Sequence, residues 1–197
     1  MAGIFDTLEI EAFRAGITPR TKESIKWFQG KAKAMGRAKK RSELLQERPL
    51  KLRNTHGIGN MYMYFYQPKH RETLPYYDSF PLTIVIGPAK GGFMGLNLHY
   101  LPMTLRAKFL DSLLKITNNE KFNATTKFDL SYELLQGSAK LKYFKPCLKH
   151  YLKNQVRSRY ALVPAPEWEI AAFLPTADFQ KQSQAYVHKQ SRESFKK

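Results

Sequence analysis

The sequence predicts one α+β domain: a small, strongly bent antiparallel sheet of the SH3-like or OB-like partial-barrel type, flanked by helices, with a basic N-terminal helical arm. Three β-rich runs, at residues 61–66, 82–86 and 93–100, are separated by prolines and glycines, a pattern typical of an antiparallel meander. Apolar residues recur at helical spacing before and after these runs. A chain of 197 residues, 43% of them hydrophobic, can bury one such core.

The N-terminal part is predicted to hold an amphipathic helix over residues 19–35. Thr18 and Pro19 suit its N-cap and first position, and apolar residues follow at helical spacing opposite a row of lysines. This helix is either a solvated surface with a flexible tail or an arm that folds on a partner. The predicted organisation is a basic N-terminal arm with this helix at 1–59, a compact α+β core at 60–175 and a polar C-terminal helix at 176–197.

Within the predicted core, the strands come first and helical spacing returns after residue 102. Gly95 interrupts the alternation of its strand and indicates a β-bulge. The further predicted elements are a helix with the apolar stripe Leu105, Phe109, Leu113 and Ile116, a helix at 129–136 stopped by Gly137, a helix that starts at Pro146, and a last strand at 159–163 or 168–173.

Positive charge is concentrated in two stretches of the chain. Residues 20–53 hold twelve Lys/Arg and three Glu, and residues 140–159 hold seven Lys/Arg and no acid, out of a net charge of +17. Such clusters suit a polyanion or an acidic protein surface better than a small-molecule pocket. The candidate residues for binding nucleic acid or an acidic partner are Lys31, Lys33, Arg37, Lys39, Lys40, Arg41, Lys145, Lys149, Lys153, Arg157 and Arg159.

Aromatic residues between the basic stretches allow two interpretations. Tyr62, Tyr64 and Tyr66 lie on one face of their strand, where they form either a platform that stacks on bases or the core of the sheet; we favour the core. Asp78, beside Tyr76 and Tyr77, is predicted to fix a structural loop by accepting backbone N–H bonds.

The sequence offers little for catalysis. The five histidines have no metal-binding spacing, the single cysteine Cys147 has no partner thiol, and no phosphate-binding or nucleophile-elbow motif occurs, so we predict no metal site, no cofactor and no enzymatic activity. A metal-dependent nuclease would have to use Asp78, Glu167 or Glu169, the only candidate carboxylates. No apolar run approaches the roughly 20 residues of a membrane span, so no membrane partner is expected.

Five runs of sequence carry a family resemblance: YFYQPK at 64–69, LPYYDSFPL at 74–82, GFMGLNLHYLP at 92–102, FKPCLKHYL at 144–152 and WEIAAFLP at 168–175. They resemble small basic virion proteins of T4-like contractile-tailed bacteriophages. The resemblance implies a virion component of the tail, baseplate or neck, or one associated with packaged DNA in the manner of DNA-end protector proteins. It implies no catalytic residues.

Two functional hypotheses follow. The first is a non-enzymatic virion assembly protein that docks in the tail, baseplate or neck through its core and basic arms. Its partners would be other virion proteins with acidic surfaces in a multi-subunit assembly, and it would occupy the virion and, during assembly, the host cytoplasm. The alternative is a sequence-independent protein that binds duplex DNA and protects or positions the packaged genome ends.

Overall fold

The computed structural model describes residues 3–35, 40–121, 123–141 and 144–194. The helices are α1 Ile4–Arg14, α2 Lys22–Ala34, α3 Arg41–Leu44, α4 Met103–Thr117, α5 Ala124–Lys140, α6 Trp168–Phe173 and α7 Gln184–Ser194. The strands are β1 Lys51–Arg53, β2 Met61–Met63, β3 Tyr77–Asp78, β4 Leu82–Ala89, β5 Gly92–Asn97, β6 Leu148–Leu152, β7 Tyr160–Val163 and β8 Phe179–Gln180. Short 3₁₀ helices cover Leu98–Tyr100, Lys145–Cys147, Lys153–Gln155 and Ala165–Glu167.

The main sheet has six strands in the order β1-β7-β2-β4-β5-β6, and every neighbouring pair is antiparallel. β1 and β6 form its two edges, so over the described residues the sheet is open and does not close into a barrel. β3 and β8 pair separately. The predicted α+β class, an antiparallel sheet flanked by helices, is confirmed.

The sheet separates two apolar clusters because successive side chains point to opposite faces. Met61 and Met63 of β2 join the larger cluster, which includes residues of α1, α2, α4 and α6. Tyr62 lies between them and joins a smaller cluster of mostly aromatic side chains. We call these the helix face and the tyrosine face. Burial on both faces explains why β2 has no exposed residue.

The N-terminal segment contributes to the helix face. Phe5 of α1, Ile25 and Phe28 of α2 and Leu44 of α3 are buried in the larger cluster. β1 extends the sheet by pairing with β7. Within the described ranges, no helix is long and apolar enough to cross a membrane.

The amphipathic helix predicted at residues 19–35 corresponds to α2, and its predicted start was wrong by three residues. Arg20 has a φ of 60°, which is incompatible with a right-handed helix, so Pro19 lies outside α2. Thr21 is the N-cap instead: its side chain accepts a hydrogen bond from the Ser24 backbone, and the Ser24 hydroxyl accepts one from the Thr21 backbone.

Three further predictions of elements were wrong. The segment after Pro146 forms β6, because its backbone pairs with β5 from Gly92 to Leu96. α5 continues through Gly137 to Lys140. The bulge lies on β4, between Val85 and Gly87. Of the two candidates for a last strand in the core, residues 159–163 correspond to β7, whereas Trp168–Phe173 is helical.

Candidate nucleic-acid interface

A short connection covers the tyrosine face. β6 lies at one edge of the sheet and β7 lies next to the other, so the residues that join them, 153–159, must cross the sheet. Backbone hydrogen bonds fix this crossing segment: Lys153 N donates to Gly91 O (3.0 Å), Gln67 N to Gln155 O (3.0 Å), and Arg157 N to Phe65 O (2.8 Å). No described helix belongs to the cluster beneath it.

The tyrosines beneath the crossing segment form a core. Tyr64 is 0% exposed, and its ring contacts Tyr66, Tyr151 and Tyr160 edge-on at centroid distances of 5.2–6.4 Å. Burial raises the pKa of the Tyr64 and Tyr151 hydroxyls, so both are neutral at physiological pH. The Tyr66 hydroxyl accepts a hydrogen bond from Leu152 N. These rings are unavailable to bases, so the stacking-platform interpretation was wrong.

The crossing segment presents three exposed cations, Lys153, Arg157 and Arg159. Arg157 donates to Gln67 Oε1 (3.2 Å) and, at 3.3 Å each, to Asn154 O and Gln155 Oε1, whereas Arg159 donates to Leu52 O (3.1 Å). All these acceptors are neutral. Neither arginine nor Lys153 forms an ion pair with any acidic side chain in the described ranges, so their charges face solvent uncompensated.

The strands at both edges add cations to the same side of the sheet. Arg53 of β1 lies opposite Tyr160, and Lys51 lies opposite Leu162, which packs on the tyrosine cluster; directly opposed residues share a face. Lys149 of β6 lies two residues before Tyr151 and therefore shares its face; it is half-buried, and its ammonium lies 4.2 Å from the centre of the Tyr100 ring. We call the six cations of this side the cationic surface: Lys51, Arg53, Lys149, Lys153, Arg157 and Arg159.

The other predicted cations lie elsewhere, and several have acidic neighbours. Lys31 on α2 pairs with Glu11 (2.7 Å), and Lys40 lies 3.8 Å from Glu43. Lys33 and Lys145 are exposed. Arg37 and Lys39 lie outside the described residues.

Arg41 differs from the other predicted cations because its guanidinium forms hydrogen bonds with backbone carbonyls near the C-terminal part of the fold. It donates to Thr176 O (2.9 Å) and Ala177 O (2.8 Å) and lies 3.4 Å from Asp178. The structure therefore brings Lys149, Lys153, Arg157 and Arg159 together on the tyrosine face and does not bring the described α2 and α3 residues to it.

Asp78 is buried where β3 meets the main sheet. Its carboxylate accepts hydrogen bonds from Phe80 N (3.1 Å), Asp178 N (3.1 Å) and Asn97 Nδ2 (3.0 Å), and it lies 2.7 Å from His99 Nδ1. Burial alone would raise the pKa of Asp78, but His99 and these donors hold it below its ordinary value. Tyr77 is the neighbouring β3 residue, and the Tyr76 ring contacts Tyr100.

Thr176, His99 and Asp78 are connected in the order of a nucleophile, base and acid. His99 Nε2 lies 3.1 Å from Thr176 Oγ1. However, Thr176 is 1% exposed and His99 is fully buried, so no substrate can approach the hydroxyl. The arrangement is a structural hydrogen-bond network.

Arg106 completes this network, and the sequence analysis missed it. The guanidinium is fully buried and donates to three carbonyls, those of Leu101 (2.8 Å), Ala172 (2.9 Å) and His99 (3.0 Å). A charged residue beside the apolar stripe of α4 was the available signal. Burial lowers the pKa of Arg106 to about 10, which leaves it charged at physiological pH.

The carboxylates considered for a nuclease have separate structural roles. Glu169 accepts hydrogen bonds from Ser24 Oγ (2.7 Å) and Arg20 N (3.0 Å) at the start of α2. Glu167 is buried near Glu9 of α1. Over the residues that the structure describes, no group of three or more His, Cys, Asp or Glu side chains is arranged to hold a metal ion.

Comparisons with known proteins identify a family for this chain. A family model described as the phage T4 terminal DNA protecting protein matches residues 8–194, which is nearly the whole chain. No curated protein and no solved structure matches. The match confirms the resemblance to T4-like phage proteins of the DNA-end protector type. The chain belongs to the family of the phage T4 terminal DNA protecting protein.

Proposed function

We propose that this protein binds the ends of linear duplex DNA through the cationic surface and shields them from enzymes that degrade DNA from its termini. Membership of a family named for the protection of terminal DNA supports this function more strongly than it supports docking in a tail or baseplate. The partner is duplex DNA, and binding is independent of base sequence because lysines and arginines at a sheet surface contact phosphates.

One observation carries the proposal: six cations share one side of the sheet, and none of them pairs with a described acid. The arginines are positioned by neutral acceptors, which orient the guanidinium without cancelling its charge. DNA phosphates would therefore meet these charges without first displacing a carboxylate. If all six met phosphates, log K would fall with log salt at a slope of about −5.

The protective action requires no chemistry of the protein's own. A bound subunit that covers the terminal base pairs blocks an exonuclease sterically. The burial of the Asp78–His99–Thr176 network supports a non-enzymatic role. We place the protein in the virion with the packaged genome, after synthesis in the host cytoplasm.

A protection assay tests this function. Linear duplex is treated with an exonuclease in the presence of the protein, and its affinity for short end-bearing duplexes is measured against circular DNA across a salt series. A variant with Lys153→Gln, Arg157→Gln and Arg159→Gln should lose roughly hundredfold in affinity at physiological salt, and its slope should become shallower by about 2.7.

The matched control also removes three positive charges, but on α2, which packs against the helix face. It carries Lys22→Gln, Lys26→Gln and Lys33→Gln, all exposed residues of α2. This control should protect DNA as well as the parent chain. Equal loss in both triple variants would place the DNA elsewhere, and equal affinity for circular and end-bearing DNA would refute end binding.

A second function, docking on another virion protein of the tail, baseplate or neck, is favoured by the exposed apolar residues of α1. Phe13 is 84% exposed and Ile10 is 46% exposed, one helical turn apart. Phe13→Ser should abolish incorporation into particles, as measured by immunoblotting of purified virions, and leave binding to DNA ends intact. Normal incorporation of this variant would remove α1 from the docking surface.

A further inference from the structure

The cationic surface contains a cavity of about 210 Å³ beside the crossing segment. Its walls come from two parts of the chain. Asn54, Thr55 and His56 follow β1, while Lys153, Ser158 and Tyr160 belong to the crossing segment and the start of β7. None of the lining residues is acidic. The cavity is therefore polar, cationic at one wall and open to an anion.

His56 lines this cavity with its ring packed against two aromatic side chains. Its ring packs on Phe93 at a centroid distance of 4.3 Å and on Tyr160 at 5.4 Å. Nδ1 is buried and makes no hydrogen bond in the described part of the chain, so Nε2 is the ring nitrogen left to meet a ligand in the cavity. Burial and the positive charge of Lys153 lower the pKa of His56, so the cavity wall presents a neutral imidazole beside an ammonium group. A bound anion would oppose both effects.

We propose that this cavity binds the terminal phosphomonoester of a DNA end, with Lys153 and His56 as its ligands. This inference rests on the proposed function. A terminal phosphate carries a charge near −2 at neutral pH, whereas an internal phosphodiester carries −1 and is substituted on both sides. The cavity accommodates a group that projects from the end of a strand, while the surrounding Arg53, Arg157 and Arg159 hold the internal phosphates.

The cationic surface alone cannot distinguish a DNA end from the interior of a duplex. Arginines and lysines at a sheet surface attract every phosphate of a duplex, whether or not an end is near. Selection of ends needs a feature present only at ends, and the phosphomonoester is one. The same chemistry occurs at a 5′ or a 3′ terminus, so the experiment must separate the two.

The test measures Kd by fluorescence anisotropy on one short duplex, closed by a hairpin at one terminus, so that each molecule has a single free end. Three versions carry a 5′-phosphate, a 3′-phosphate or hydroxyls only, and a closed dumbbell of the same sequence has no end. We expect one phosphorylated version to bind about tenfold tighter than the hydroxyl version. Lys153→Met and His56→Gln should each bring this ratio close to one.

Arg159→Gln is the matched control. It removes one charge from the cationic surface, but Arg159 does not line the cavity, so it should weaken binding to all versions and keep the ratio. Lys153 is exposed, so its variant folds even where His56→Gln does not. If all end-bearing versions bind more tightly than the dumbbell but a terminal phosphate does not change the Kd, this inference is overturned and the proposed function stands. Equal binding of the dumbbell would overturn both.

Discussion

Glu167 gives a prediction in which the effect of a substitution on the free energy of unfolding depends on pH. The side chain is 7% exposed, and its Oε2 atom is buried without a hydrogen-bond partner in the described ranges. Burial, together with the nearby carboxylates of Glu9 and Asp6, raises the pKa of Glu167 from 4.5 to about 7. The native state therefore holds a proton more tightly than the unfolded chain does between these two pH values.

The difference between the folded and unfolded pKa values of Glu167 sets the direction and the size of the pH effect on stability. The pKa of Glu167 is higher in the folded state than in the unfolded state. Protonated Glu167 therefore makes its full contribution to stability below pH 4.5, and this contribution is lost as pH rises through about 7. A shift from 4.5 to about 7 corresponds to roughly 3 kcal/mol. Glu167→Gln has no titrating group and should be about 2–3 kcal/mol more stable than the parent chain at pH 8, with little difference at pH 4.

Urea unfolding at pH 4 and pH 8 measures this difference directly. Glu120→Gln is a suitable control, since it removes the same charge at an exposed position after α4 and should change stability by less than about 0.5 kcal/mol at either pH. An equal change in stability at both pH values, or destabilisation of the Glu167→Gln variant at pH 8, would contradict a raised pKa of Glu167 in the folded state.

Other substitutions test the buried network and the sheet. Arg106→Leu would remove the guanidinium donor from three buried carbonyls, of which only that of His99 keeps a second partner among the described residues, His188 Nε2. It should cost about 3–5 kcal/mol in urea unfolding, whereas a loss below about 1 kcal/mol would contradict its structural role. Thr176→Val should cost about 1–2 kcal/mol and leave affinity for DNA ends unchanged; a selective loss of that affinity would contradict a purely structural network. Gly92→Ala would drive its Cβ into the Tyr151 carbonyl and separate β5 from β6, so we expect about 3 kcal/mol of destabilisation or more, and a wild-type melting temperature would rule out this close approach.

The strands of the meander were predictable because their composition and their turns agree. β4 and β5 contain β-branched and apolar runs, and the loop between them carries Gly91 with a φ of 72°. β6 was not predictable in the same way. Its Leu148, Tyr151 and Leu152 fit helical spacing as well as a strand. Only pairing with β5, whose partner residues lie 52 to 60 positions earlier, decides between the two.

The site shows the same division between local and long-range information. The charge of residues 140–159 was visible in the sequence, since a run of cations without acids needs no fold to be recognised. The cavity was not visible. His56 and Lys153 are nearly one hundred positions apart, and they meet because β1 pairs with β7 while the crossing segment passes over the tyrosine face.

The geometry of the tyrosine face explains how a small domain can present so much uncompensated charge. Repulsion among six cations favours spreading of the surface. The crossing segment resists it because its backbone is bonded to Gly91, Phe65 and Gln67, and because the rings beneath it are closely packed. If this surface binds DNA as proposed, a rigid arrangement of the cations reduces the side-chain and backbone freedom that is lost on binding. Under the proposed function, the buried tyrosines would contribute to DNA affinity without touching a base, by holding in place the segment that carries Lys153, Arg157 and Arg159.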